Sequence, residues 1–171
     1  IIMIFKFKKH DTNLYNTLLL LSRNIFFYNK IGLKDNFETR IYLMFLHFSI
    51  LLIIFKKKSA KFNQDLYDSL FKNIENNMRE LGYGDVAVNK KMKDLNKILY
   101  DILLKLEIKQ ENEFIINDDL IFKYFNELKG EKKDKYLDFK QYLANFYKFC
   151  FELPLDNVLR GAIKFNNYGS S

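Results

Sequence analysis

Apolar residues recur at three- and four-residue steps along most of the chain, the period of an amphipathic helix rather than of a strand. Leu14, Leu18, Leu21, Ile25 and Tyr28 form the first such run. With Asp11 or Thr12 as its cap, it predicts a helix to about Asn29 that Gly32 closes. Asp35 or Asn36 then caps a more strongly apolar run reaching Lys58. A third helix is predicted from about Asn63 to Leu81, with Tyr67, Leu70, Phe71, Ile74, Met78 and Leu81 on one face. A fourth runs from about Asn89 to Leu106, turning Met92, Leu95, Ile98, Leu99, Ile102 and Leu106 inward. Asn117, Asp118 and Asp119 open a fifth that ends near Gly130. Two more span about Asp134 to Phe151 and, with Pro154 at its first turn, about Leu155 to Phe165. No strand alternation persists and no repeat is visible. The prediction is an all-α fold of about seven helices in one compact domain, residues 11–166, between a basic and apolar tail at 1–10 and a frayed end at 167–171.

Composition supports one core. Of 171 residues, 49% are hydrophobic and 17% aromatic, and the single Pro and six Gly leave few places to divide the chain. Cys150 is the only cysteine, which excludes an internal disulfide framework and fits a reducing compartment. Within "NFYKFCFEL" it reads as a small buried apolar residue.

Charge changes the picture once it is located. Residues 1–60 carry ten Lys or Arg against three acids, while the rest of the chain carries 18 of each sign, so the net +7 belongs to the first third. Lys6, Lys8 and Lys9, with Lys56, Lys57 and Lys58, are therefore candidates to meet an anionic membrane surface or ribosomal RNA. Solvated lysines that keep an apolar protein soluble are the plainer reading of the same charges.

Two apolar stretches invite a membrane test. "IIMIF" at the start is too short to span a bilayer and precedes its lysines, the reverse of a secretory signal. Residues 41–55, "IYLMFLHFSILLIIF", would cover about 22 Å as a helix, short of a ~30 Å hydrocarbon core. A buried central helix is expected there, although its basic flanks also suit a segment lying against lipid.

The stretch "MRELGYGD" stands between the third and fourth helices. Gly82 suits the left-handed residue after a helix end, and Gly84 permits a second bend before Asp85. Arg79 and Glu80 lie off the apolar face on opposite sides, so the core requires neither. Arg79 favours the negative end of its helix whereas Glu80 opposes it. Charged, Gly-containing turns are also common in inert loops.

Catalytic chemistry finds little support. His10, His47 and Cys150 have no short metal-ligand spacing, and no phosphate-binding loop is present. His47 on its apolar helix reads as a hydrogen-bonded core histidine before it reads as a haem ligand. Asp118 and Asp119 read as capping residues. The expectation is a non-enzyme with no cofactor and no metal.

From Leu14 to about Leu106 the chain resembles the ubiquinol-cytochrome c chaperone family. Leu14 and Tyr15, Arg23, Phe27 and Tyr28, then Gly32 and Asp35 match its opening pattern. Its Arg with a His seven residues on falls on Arg40 and His47. Its turn motif falls on Met78, Arg79, Glu80, Gly82, Gly84 and Asp85, and the valine and lysine pair that follow fall on Val88, Lys90 and Lys91. Tyr83 replaces an aliphatic residue, Thr39 replaces a glycine, and a Tyr-Gly-Arg element reads Tyr100, Asp101 and Ile102.

What the resemblance implies is an ATP-independent chaperone. It would bind newly made cytochrome b near the ribosome and membrane until haem is inserted and the bc1 complex assembles. The implied location is the inner face of the bacterial cytoplasmic membrane, or the matrix side of a mitochondrial inner membrane. Candidate client contacts are Arg40, His47, Arg79, Glu80, Gly82, Tyr83, Gly84 and Asp85, beside an apolar groove. Two alternatives remain: a basic helical nucleic-acid-binding protein, and an interaction module for another membrane-protein client. No recognition helix or RNA-binding signature stands out, so specific DNA binding is not expected.

Overall fold

The computed structural model describes residues 13–108, 114–130 and 133–166. Among them it has seven α-helices in the order α1 (Asn13–Ser22), α2 (Phe37–Lys57), α3 (Gln64–Glu80), α4 (Asp85–Lys105), α5 (Asp118–Tyr124), α6 (Lys133–Glu152) and α7 (Leu155–Leu159). One short hairpin joins α4 to α5, with β1 (Leu106–Ile108) antiparallel to β2 (Phe114–Ile116) and Leu106 opposite Ile116. The fold is all-α with this one small insertion.

α2 is the axis. Asn36 caps it by accepting the Thr39 N–H at 2.8 Å, Glu38 occupies its first turn, and Lys56 and Lys57 its last, all in the sense the helix dipole favours. Helices α1, α4 and α6 pack around it. By length and mean hydropathy (1.6) α2 matches a membrane span, but 78% of its most apolar window is buried inside the protein. It is the core helix, because its apolar residues extend round its whole circumference and need protein on every side.

The first predicted helix is two elements. α1 stops at Ser22, whose hydroxyl donates to the Leu19 carbonyl at 2.7 Å, and Asn24 Oδ1 accepts the Phe26 N–H at 3.0 Å. Both side chains compete for backbone groups that a continuing helix would use. The chain restarts as one wide π-helical segment, Phe26–Lys30, closed by the Ile31 N–H on the Phe26 carbonyl. The break shifts the register, so Ile25, predicted inward, is 67% exposed and Phe27 is fully buried instead. Gly32, at φ +81°, reverses the chain toward α2.

The last helix is shorter than its pattern predicts. Gly161, at φ +68°, ends it, and a Cβ there would lie 2.5 Å from the Asn13 carbonyl oxygen. Thr17 donates to the Gly161 carbonyl at 2.6 Å. The C-terminal segment is thus strapped against α1. Asn117, rather than either acid, caps α5 by accepting the Asp119 N–H, which frees Asp118 to pair with Lys140 at 2.9 Å.

Candidate functional site

The corner between α3 and α4 is built by backbone geometry first. The Gly82 N–H bonds to the Arg79 carbonyl at 3.0 Å and the Tyr83 N–H to the Met78 carbonyl at 3.2 Å, a closing pattern that needs a left-handed residue at Gly82, where φ is +91°. Gly84 is different: its backbone is extended, with φ −71°, and it serves as the residue before α4. α4 begins at Asp85, four residues before the predicted Asn89. Val86 to Val88, expected as an approach to the helix, form its first turn, and the Val88 N–H reaches the Gly84 carbonyl at 2.9 Å.

Charges then fasten the corner. The Arg79 guanidinium bonds Glu75 at 2.8 Å and reaches across the turn to the Asp85 carboxylate. Glu75 first, then Asp85, holds the guanidinium above its usual pKa. Both charges sit at favourable helix ends, Arg79 at a C-terminus and Asp85 at an N-terminus. Glu80 is exposed and its charge acts on the buried Tyr15 phenol. Leu81, predicted to face the core, is exposed instead, as are Tyr83 and Val86, the last at 85%. Lys91 stands over the Tyr83 ring at 5.2 Å and lies 3.9 Å from Glu38 at the start of α2. The corner therefore presents a short apolar ridge, with charged groups on both sides, next to the N-terminal end of α2.

Arg40 is at that same end but inward. Its Nε and Nη2 donate to the two Asp35 oxygens at 2.6 and 2.9 Å, a bidentate pair. Burial opposes its charge, yet the Asp35 carboxylate outweighs burial and raises its pKa. Arg23, close enough to Arg40 to feel its charge, is pushed the other way, by burial and then by Arg40. Only 8% of Arg40 is exposed, so it braces the loop before α2 rather than offering a surface charge.

His47 is not at the surface. It is fully enclosed, with Nδ1 2.6 Å from the Leu43 carbonyl and Nε2 2.9 Å from the Tyr142 hydroxyl. The carbonyl accepts only, so the proton is on Nδ1 and the tyrosine hydroxyl donates to Nε2. Phe27 and Phe146 meet the ring edge-on at 6.0 and 4.7 Å. Burial drives its pKa down to about 4, so the imidazole is neutral. In this geometry His47 joins α2 to α6 and touches neither a client surface nor an open ligand position. Tyr142, its partner, carried no signal in the sequence, because a contact 95 residues away leaves no local pattern.

Two hollows flank the α2–α4 pair. Near the corner, Phe37, Glu38, Tyr42, Lys91, Asp94, Leu95 and Ile98 line a cleft of only about 150 Å³. The larger groove, about 700 Å³, lies between Leu52 and Ile53 of α2 and, opposite them, Leu103 and Leu104 at the end of α4 and Leu106 of β1, with Lys56 and Lys57 at its edge. α2 and α4 run side by side in the same direction, since Lys91 approaches Glu38 at one end and Leu103 and Leu104 share a groove with Leu52 and Ile53 at the other. The path from Lys91 to Leu104 along α4 is about 20 Å. The expected apolar groove edged by the corner is thus corrected: the corner and the larger of these two hollows stand at opposite ends of this helix pair.

Lys58 is half-buried, donating to the Leu153 carbonyl at 3.1 Å and lying 4.9 Å from the Phe151 ring centre. Lys6, Lys8 and Lys9 lie outside the described residues. Among the described residues no group of three or more His, Cys, Asp or Glu side chains has the spacing to hold a metal ion. Burial pushes the Cys150 thiol up to about 12, which leaves it protonated and inert.

A sequence model of the family described as Ubiquinol-cytochrome C chaperone matches residues 29–112, a span that contains α2, α3, α4, the corner and every residue lining the larger groove. No curated protein and no solved structure matches the chain.

Proposed function

We propose, from the match of residues 29–112 to the ubiquinol-cytochrome C chaperone family, that the chain is an ATP-independent assembly factor of ubiquinol-cytochrome c reductase whose client is newly made cytochrome b. The observation that carries the docking surface is the exposed ridge Leu81, Tyr83 and Val86 on a corner that Arg79 holds to both Glu75 and Asp85. A rigid apolar ridge loses little conformational entropy on binding, and an aromatic anchor with charged neighbours is the composition that protein docking surfaces favour. In this reading Arg79, Glu80, Gly82, Tyr83, Gly84 and Asp85 form the contact. Arg40 and His47 support it from within, by holding the start and the middle of α2. The basic amino-terminal third suits peripheral contact with an anionic membrane at the inner face of the bacterial cytoplasmic membrane, close to ribosomes making the client.

Deletion in the native host, followed by a reduced-minus-oxidised spectrum of membranes, tests the assignment. Loss of the b-haem signal, restored by the wild-type chain, is expected. A normal b-haem signal after deletion would overturn it.

A further inference from the structure

The larger groove belongs to a different surface from the corner. Its lining is aliphatic: Leu52, Ile53, Leu103, Leu104 and Leu106, with Lys56 and Lys57 the only polar members. Leu104 is 80% exposed at the end of α4 and stands beside these aliphatic neighbours, so the groove is open to a ligand. Neither Lys56 nor Lys57 has an acidic partner among the described residues. The neighbouring acid on α4, Asp101, is occupied by Lys105 at 2.7 Å and Lys123 at 2.6 Å and is not part of the lining.

We infer that this groove binds the acyl chain of a fatty acid, with the carboxylate held by Lys56 and Lys57. Among the described residues the lining side chains offer an apolar bed and no hydrogen-bonding group besides the two ammonium ions. A ligand that fills it is therefore a hydrocarbon with a single anionic end. The volume of about 700 Å³ is that of a small-molecule site. A membrane-protein client is electrostatically mismatched, because loops beside membrane helices on the synthesis side are enriched in Lys and Arg, which the basic edge repels. The two lysines close the last turn of α2, where their charge is already favoured by the helix dipole, so they are in place before a ligand arrives.

Calorimetric titration of the purified chain with laurate, below its micelle-forming concentration, tests this without any client present. Saturable binding of one laurate per chain is expected, weakened about tenfold both by Leu104→Asp and by the Lys56→Glu, Lys57→Glu double variant. Dodecyltrimethylammonium, the same chain length with the opposite charge, is expected to bind at least about tenfold more weakly than laurate. Absence of saturation, binding unchanged by Leu104→Asp, or equal affinity for the cationic amphiphile would each overturn the inference. Should Leu104→Asp lower the thermal midpoint, Leu104→Ser serves in its place, with the same expected loss.

Discussion

Two buried or half-buried ionisable side chains give the protein separate acid sensitivities. His47 has a folded-state pKa of about 4 against an ordinary 6.5. The unfolded chain takes up a proton between those values and the folded chain does not, so stability falls as pH drops through that window, by at most about 3 kcal/mol. Denaturation midpoints measured from pH 7 to pH 4 should show the decline. His47→Gln should be less stable at pH 7 and have a flatter profile; an unchanged slope would locate the proton uptake elsewhere. Asp101 acts lower. Burial alone would raise its carboxyl, but hydrogen bonds from Lys105, Lys123 and Tyr124 outweigh burial and hold it well below the usual carboxylate range. Its contribution is present above the unfolded value of about 4 and is lost as pH falls below it. Asp101→Asn should therefore cost about 1 kcal/mol at pH 7, allowing for partial exposure, with the difference from wild type shrinking below pH 4 in the same denaturation series. In sequence Asp101 stands out only as a departure from a Tyr-Gly-Arg pattern. Lys105 is its neighbour one turn along α4, but Lys123 and Tyr124 lie on α5, so the part of the network that ties α5 to α4 is visible only in three dimensions.

Among the elements, the long periodic helices were legible and their junctions were not. The apolar spacing of α2, α3 and α6 fixes them to within a residue or two, because each buries a broad face. The end of α1, the start of α4 and the small hairpin depend on competition the period does not record. Ser22 and Asn24 capture backbone groups, the residue before α4 is extended, and β1 pairs antiparallel with β2. The corner was placed correctly from its two glycines, yet only Gly82 is held there by a left-handed backbone. Its charges lie on the solvent side, where they fasten two helix ends at little gain in stability. Arg79→Ala and Asp85→Ala should each leave the thermal midpoint within about two degrees of wild type. Each should also reduce capture of newly made cytochrome b about tenfold in a pull-down from a coupled translation reaction. Equal losses of melting temperature and capture would make the corner a helix connector and nothing more.

For the whole molecule, the decisive feature is that the family match ends at residue 112 while the core does not. Phe125, Leu128, Phe139, Tyr142, Leu143, Phe146 and Cys150, all beyond that point, are among the fully buried side chains, and α6 packs directly on α2. Tyr142 completes the His47 hydrogen bonds, and the Gly161 strap closes the C-terminal segment onto α1. Removing residues 113–171 would uncover one whole side of an α2 that is apolar enough, at a mean hydropathy of 1.6, to pass for a membrane span. The 171-residue chain covers most of that helix with protein; a shortened chain has only lipid or another chain to offer it. The fragment ending at residue 112 should therefore lose cooperative melting and either aggregate or partition into membranes, resisting carbonate extraction, whereas the full chain is released. A soluble fragment with a sharp thermal transition would show that α6 is an accessory rather than half of the core. The milder change Gly161→Ala tests the strap alone, since its new Cβ meets the Asn13 backbone at a positive φ: a loss of at least about 2 kcal/mol in urea denaturation is expected. If that variant instead melts like wild type, the closure of the C-terminal segment contributes nothing to holding α2 inside.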